Sequence, residues 1–325
     1  MARHTILGKG PIGGTLATHL ADAGHEVHVL SRSGARPGAP TRTERAHGGS
    51  IEHHRVDGTD AEALTALTHG SVALYNCLNP AYHRWATDWP PVAAALLTAA
   101  ERTGAVLVTT GNLYGYGAGR RHMHEGDPLA SRETKGRVRA RMWADALARH
   151  DAGTLRATEV RGSDYLGPGA QAHAHAGPRM LTPLLAGRVL RPVGSADQPH
   201  TWTYLPDFAA ALARAAELPA AWGRPWHVPS PEPLTLRQVA ERFAAAAGAP
   251  APRISPIPVA AVRALGVVHP MMREIAAVTY QLTEPFVADD TASRRTLGLE
   301  PTDWDTIVAQ TLASHRADHP VAVPR

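Results

Sequence analysis

The 325-residue sequence contains one cysteine, Cys77, so no intramolecular disulfide can form and a reducing compartment is the expected setting. Long apolar runs are missing: none reaches the ~18 residues of a membrane span. The start MARHTILGKG offers only Ile6-Leu7 before glycine, too little for a secretory leader. A cytoplasmic protein without membrane attachment is therefore expected. Strong charge of one sign is absent too. The formal net charge is +4, aromatics are 5%, and the arginines are spread along the chain apart from a cluster at residues 132–141. Nucleic-acid binders concentrate positive charge and interleave aromatics, so a small anionic molecule fits this balance better than nucleic acid. No Gly-x-Ser-x-Gly elbow or Cys/His pair points to a covalent nucleophile, and Cys77 at a strand end reads as packing.

What is present is a regular alternation. With 44% hydrophobic and 19% charged residues, the chain can bury the core of one large α/β domain or two unequal ones. Strand-like runs at residues 5–7, 26–30, 71–77, 105–109 and 155–160 alternate with helix-like runs at 12–23, 60–68, 91–102 and 135–150. That order predicts an α/β fold, a doubly wound Rossmann parallel sheet covered on both faces. The second half is richer in Pro and Gly connections between helical stretches such as 234–247, which predicts a smaller, mostly helical C-terminal substrate region. The expected division is a dinucleotide-binding domain over 1–165 with a returning segment near 200–230, and a substrate region over 166–199 and 231–325.

Ligands of such sheets bind at the carboxyl ends of the strands. The first strand runs into Gly8-Lys9-Gly10-Pro11-Ile12-Gly13, a G-x-G-x-x-G that opens a helix and leads to a second strand. Gly8 suits the tight turn, Gly10 the approach of a pyrophosphate, and Gly13 close helix–strand packing, with the helix N-terminus facing phosphate charge. The second strand ends in Ser31-Arg32-Ser33, without the acid that binds the NAD ribose. Arg32 suits a 2′-phosphate and the serines offer hydroxyls, so NADP is expected over NAD.

The layout resembles the short-chain dehydrogenase/reductase superfamily, extended or atypical branch, of the NAD-dependent epimerase/dehydratase type. After the glycine motif, Asp57-Gly58 is similar to the family's aspartate beside adenine, and Cys77-Leu78-Asn79 to the segment that passes the cofactor ribose. Thr109-Thr110 with Tyr114-Gly115, in TTGNLYGYG, looks like the family's Ser-Ser-x-x-x-Tyr-Gly stretch. VRGSDYLGPG, residues 160–169, resembles the loop near nicotinamide and brings in Ser163. Residues 200–215 and 226–243 match two later segments in order. The resemblance implies that Thr110 bonds the reacting oxygen, that a small molecule is the substrate, and that two copies pair through helices beside the sheet.

One element of the family pattern is missing. The region that should hold its Tyr-x-x-x-Lys reads SRETKGRVRARMW, residues 131–143, without a tyrosine. Lys135 and Arg139 stand in the places of Tyr and Lys, or Ser131 and Lys135 do; the spacing to Arg161 favours the first. Three readings follow. Lys135 transfers a proton, its pKa lowered by Arg139 and burial. Tyr114 donates, its pKa lowered by both cations. Or neither acts, and Lys135 and Arg139 hold ribose, nicotinamide or an anionic substrate. Asn79, Asn112, Asp164, Tyr165 and Trp202 are candidate substrate contacts. Two H-x-H pairs, His122/His124 and His173/His175, lack the further ligands that a metal needs. The expected activity is an NADP-dependent oxidoreductase or epimerase. Its rivals are a non-redox isomerase, cyclase or lyase that uses the cofactor as scaffold, and a sensor without turnover.

Overall fold

A computed structural model describes residues 1–171 and 174–318, so His173 lies outside it. The strands are β1 (Arg3–Leu7), β2 (Glu26–Ser31), β3 (Arg42–Glu44), β4 (Ser50–Arg55), β5 (Ser71–Asn76), β6 (Val106–Asn112), β7 (His122–Met123), β8 (Ala157–Gly162), β9 (Asp164–Leu166), β10 (Trp202–Tyr204), β11 (Pro225–His227) and β12 (Val287–Ala288). Eight of them form one sheet in the order β11-β8-β6-β5-β1-β2-β4-β3. It is parallel throughout except for the β3–β4 pair. The chain builds outward from β1 through β2 to β4, then returns to the other side of β1 with β5. That reversal opens the crevice in which a doubly wound sheet takes its ligand.

The helices include α1 (Pro11–Asp22), α2 (Ala61–Thr68), α3 (Trp85–Thr103), α4 (Thr134–Asp151), α5 (Pro178–Leu185), α6 (Leu205–Glu217), α7 (Leu236–Ala247), α8 (Val259–Gly266) and α9 (Pro270–Ala277). Alternation along the strands divides the core between two faces. Val27, Val29, Ala73, Tyr75, Val106 and Val108 pack on α1 and α6, while Leu7, Leu30, Leu74 and Leu107 pack on α2, α3 and α4. A third cluster joins α5, α7 and the helix Trp304–Asp318 beside β9 and β10. Thr235 and Gln238 start α7 with a reciprocal capping box.

Two elements differ from expectation. Helix α3 begins at Trp85 rather than near Pro91, because buried Trp85 and Trp89 anchor an extra turn ahead of the prolines. Residues 50–55, which fall between the strand-like run 26–30 and the helix-like run 60–68 and belong to neither, form β4. SIEHHR carries no apolar alternation, and its strand character comes from pairing residue by residue with β2.

Candidate active site

Gly8 and Gly13 close the crevice by backbone contact. Gly8 has φ +113°, and a Cβ there would stand 2.6 Å from the Cys77 carbonyl carbon. A Cβ on Gly13 would stand 2.0 Å from the Gly8 oxygen. Side chains are excluded at both positions. Gly10 differs: it is the extended N-cap of α1, and a Cβ there would meet nothing within 4 Å. The cradle is thus tight underneath and open above, at a helix N-terminus led by Pro11, which suits a bound pyrophosphate. Ile12 packs half-buried against the core beside it. At the same strand ends, the buried Asn76 Nδ2 has no partner, and Gly58 is walled by Leu7 and Leu78. These features fit a dinucleotide.

The end of β2 is basic. Arg32 and Ser33 are exposed, and Ser31 stands opposite Arg55 in register. Lys9 Nζ donates to the Gly34 carbonyl at 2.7 Å, pinning the loop that follows. Asp57 accepts from the Thr59 amide and hydroxyl, both at 2.9 Å, and those bonds, helped by Arg32, hold its carboxyl below the usual range. Asn79 is exposed beyond Cys77 and half-buried Leu78.

The edge TTGNLYGYG is the end of β6 and the turn after it. Thr109 pairs with Asn76 across the sheet, and the Thr110 hydroxyl lies 3.4 Å from Cys77 Sγ. Burial pushes the Cys77 thiol up to about 12, so it is a neutral neighbour and no nucleophile. Asn112 is spent locally: its side chain accepts from the Tyr114 amide and caps the turn.

The region without a tyrosine is filled by a stack of cations and rings. Arg139 donates to the Thr110 carbonyl at 3.0 Å, with its guanidinium 4.7 and 4.5 Å from the Trp85 and Trp89 ring centres. Lys135, 1% exposed, bonds the Glu274 carboxylate at 2.8 Å and the Glu274 carbonyl at 2.6 Å, and lies 5.3 Å from the Tyr82 ring centre. Burial lowers the Lys135 ammonium while Glu274 on α9 raises it; Arg139, turned toward Thr110, is not among the causes. Of the two expected causes of lowering, burial acts and Arg139 does not.

Tyr114 is also corrected. Its hydroxyl lies 3.1 Å from that of Tyr82, and burial pushes its pKa well up, aided by Tyr82 and Asp164, instead of down. Tyr82 is half-buried in the turn after β5 and is likewise pushed up by burial. No periodic signal marks Tyr82 in the sequence; a ring placed just after a strand end, in the loop that borders the crevice, was the available clue.

Ser163, Asp164 and Tyr165 follow β8. The Ser163 hydroxyl lies 3.3 Å from His200 Nε2, and Asp164 Oδ2 lies 3.0 Å from the same nitrogen, off the line of a hydrogen bond. Burial opposes ionisation of Asp164, yet His175 and His200 together bring its carboxyl down to about 2. Burial pushes the Tyr165 phenol up to about 12. Trp202 is a core residue rather than a cleft residue: it is 2% exposed, and its indole donates to the Leu234 carbonyl at 2.8 Å. Beneath these groups Arg161 is clamped on Glu159 at 2.7 and 2.9 Å and reaches the Tyr116 hydroxyl at 2.8 Å. His122 and His124 are exposed, and His124 lies 3.9 Å from Asp289.

Residues 5–228 match the model of the NAD dependent epimerase/dehydratase family. No curated protein matches the sequence. Among solved structures, a dTDP-glucose 4,6-dehydratase from Bacillus anthracis in complex with NAD superposes with a TM-score of 0.77 at 14% identity, covering 98% of both chains. A UDP-N-acetylglucosamine 4-epimerase from Methanobrevibacter ruminantium gives 0.78 at 13% identity, over 98% of this chain and 99% of that one. A UDP-glucose 4-epimerase from Thermotoga maritima gives 0.76 at 15% identity, over 97% and 99%. At these identities the likeness is one of fold.

Proposed function

The chain belongs to the NAD dependent epimerase/dehydratase family, and on that premise we propose that it is an NADP-dependent oxidoreductase or epimerase acting on a small polar or anionic metabolite. Gly8, Gly10, Pro11, Ile12 and Gly13 would hold the pyrophosphate, while Asp57, Gly58, Cys77, Leu78, Asn79, Thr109 and Ser163 would border adenine and the riboses. Ser31, Arg32 and Ser33 would take the 2′-phosphate, with Arg55 adjacent in register. When bound, the nicotinamide takes or returns a hydride at a carbonyl or alcohol carbon.

The chain's own part is to hold the oxygen and move the proton. One observation carries this reading: the Tyr82 and Tyr114 hydroxyls pair at 3.1 Å beside Lys135, where the expected tyrosine is missing. Burial keeps both phenols protonated at neutral pH, so the pair can donate a hydrogen bond to a reacting oxygen and gives up its proton only as that oxygen becomes basic. Lys135 over the Tyr82 ring offsets negative charge that develops as the proton leaves. Thr110 would bond the same oxygen, and Arg139 fixes the Thr110 backbone. Asn112 shapes the turn, and Asp164 and Tyr165 would meet substrate polar groups. A groove between α3 and α4, lined by Ala86, Ala94, Leu97, Val138 and Met142, is where a second copy would pack.

The test is a screen of sugar-nucleotide and other anionic carbonyl substrates, read at the nicotinamide absorbance band with NADPH. Tyr82→Phe is expected to lower the rate about 100-fold with NADPH affinity unchanged. Turnover with no transient absorbance change would favour the scaffold reading, for which the sealing of Lys135 by Glu274 speaks. Binding without turnover on any substrate would favour the sensor.

A further inference from the structure

The outer edge of the sheet carries side chains that the nucleotide crevice does not use. His28 on β2 stands opposite Glu52 on β4, and Leu30 opposite His54, so the two histidines and Glu52 share one face of the sheet. One ligand atom from each of the three lies within 4.8 Å of the other two. The imidazole rings are 4.7 Å apart, centre to centre.

The surroundings orient each group. Glu26 Oε1 lies 3.3 Å from His28 Nε2, which places the proton on Nε2 and leaves Nδ1 its lone pair; Nδ1 is buried without a hydrogen-bond partner. Glu26 is in turn held by Arg3 at 3.1 Å. A carboxylate on the far nitrogen of an imidazole is the usual way a metal-binding histidine is fixed. His54 Nε2 is also buried and unpartnered, 3.7 Å from Glu52 Oε1. Arg42 takes the other Glu52 oxygen, Oε2, at 3.4 Å. One imidazole nitrogen from each histidine and one Glu52 carboxylate oxygen thus stand within reach of a shared ion. The neighbouring arginines, each on a carboxylate, offset that negative charge without occupying the three ligand atoms.

We infer that His28, Glu52 and His54 bind a divalent transition metal of the zinc class, with water as the fourth ligand. Nitrogen donors exclude magnesium or calcium as the preferred ion. Ligands of tetrahedral zinc lie roughly 3.4 Å apart at ~2.1 Å bonds, so side-chain adjustments of about 1 Å close the site. The metal would tie β4 to β2 at the sheet's edge, away from the chemistry.

The experiment uses the full chain with any affinity tag removed, titrated with Co2+ and then Zn2+. The expected result is one Co2+ per chain with the intense visible bands of four-coordinate cobalt, displaced by Zn2+, and a melting temperature that rises with Zn2+. The double variant His28→Gln/His54→Gln should lose both signals while still binding NADPH. Should that variant fail to fold, single variants His54→Gln and Glu52→Gln carry the same expectation, and Glu26→Gln should weaken affinity by about 10–100-fold. The inference is overturned if the variants bind as much Co2+ as the parent, which would assign the ion to other histidines, or if the parent shows only the weak spectrum of six-coordinate cobalt.

Discussion

The two halves of the crevice are made of different material. On the β1 side the walls are main chain: Gly8 against Cys77 and Gly13 against Gly8, with no room for a side chain at either contact. On the β6–α4 side the walls are side chains brought from distant parts of the sequence: Tyr82, Tyr114, Lys135, Arg139 and Glu274. A backbone cradle has few solutions, so its sequence is constrained to glycines at fixed spacing. A side-chain assembly can be rebuilt from other residues, and here a cation–aromatic stack occupies the region without a tyrosine.

Variants can break this contrast. The side-chain half rests on the buried Glu159–Arg161 pair, so Glu159→Ala should cost about 3–5 kcal/mol in denaturant unfolding, because it leaves Arg161 uncompensated. A loss near zero would mean that the network is dispensable. The β1 half should instead reveal itself in acid. His4, 2% exposed on β1, is lowered to about 4 by burial and by His25. The unfolded chain then binds the extra proton first, so stability present above pH 6.5 drains away as the pH falls from 6.5 to 4, by roughly 3 kcal/mol. His4→Gln should flatten that slope in unfolding measured against pH. Gly13→Ala should cost roughly 1–3 kcal/mol, since its Cβ meets the Gly8 carbonyl. Gly10→Ala should leave the melting temperature unchanged and weaken NADPH about tenfold, ~1.4 kcal/mol. Equal behaviour of the two glycine variants would erase the distinction between a tight floor and an open mouth. Arg32→Asp should act on cofactor choice alone, reducing NADP affinity about tenfold more than NAD affinity in fluorescence titrations.

This contrast explains what could be read in advance. The strand–helix order was legible because apolar periodicity marks each element that faces a core. The glycine motif was legible because its spacing encodes a turn. The polar turn through Tyr114 was legible as the end of a buried strand, and β6 does end there, whereas the role of Thr110 came from the resemblance alone. β4 was not, because SIEHHR owes its strand form to its neighbour β2. Glu274 lies 139 residues from Lys135, and no local pattern announces such a contact. The direction of the tyrosine shift was misjudged because charges can be counted in a sequence, whereas the burial that outweighs them cannot.

The sheet's two margins carry a consequence of their own. Each margin strand is three residues long: β3, all exposed and turned antiparallel with Arg42 and Glu44 at its ends, and β11, which opens on Pro225. A margin needs a long row of free amides to recruit a foreign strand, and proline offers none. A large parallel sheet is slow to assemble and liable to zip onto other chains while it does so. Here one seam is short, exposed and charged and the other is short and opens on proline, so neither offers a foreign strand a long row of free amides.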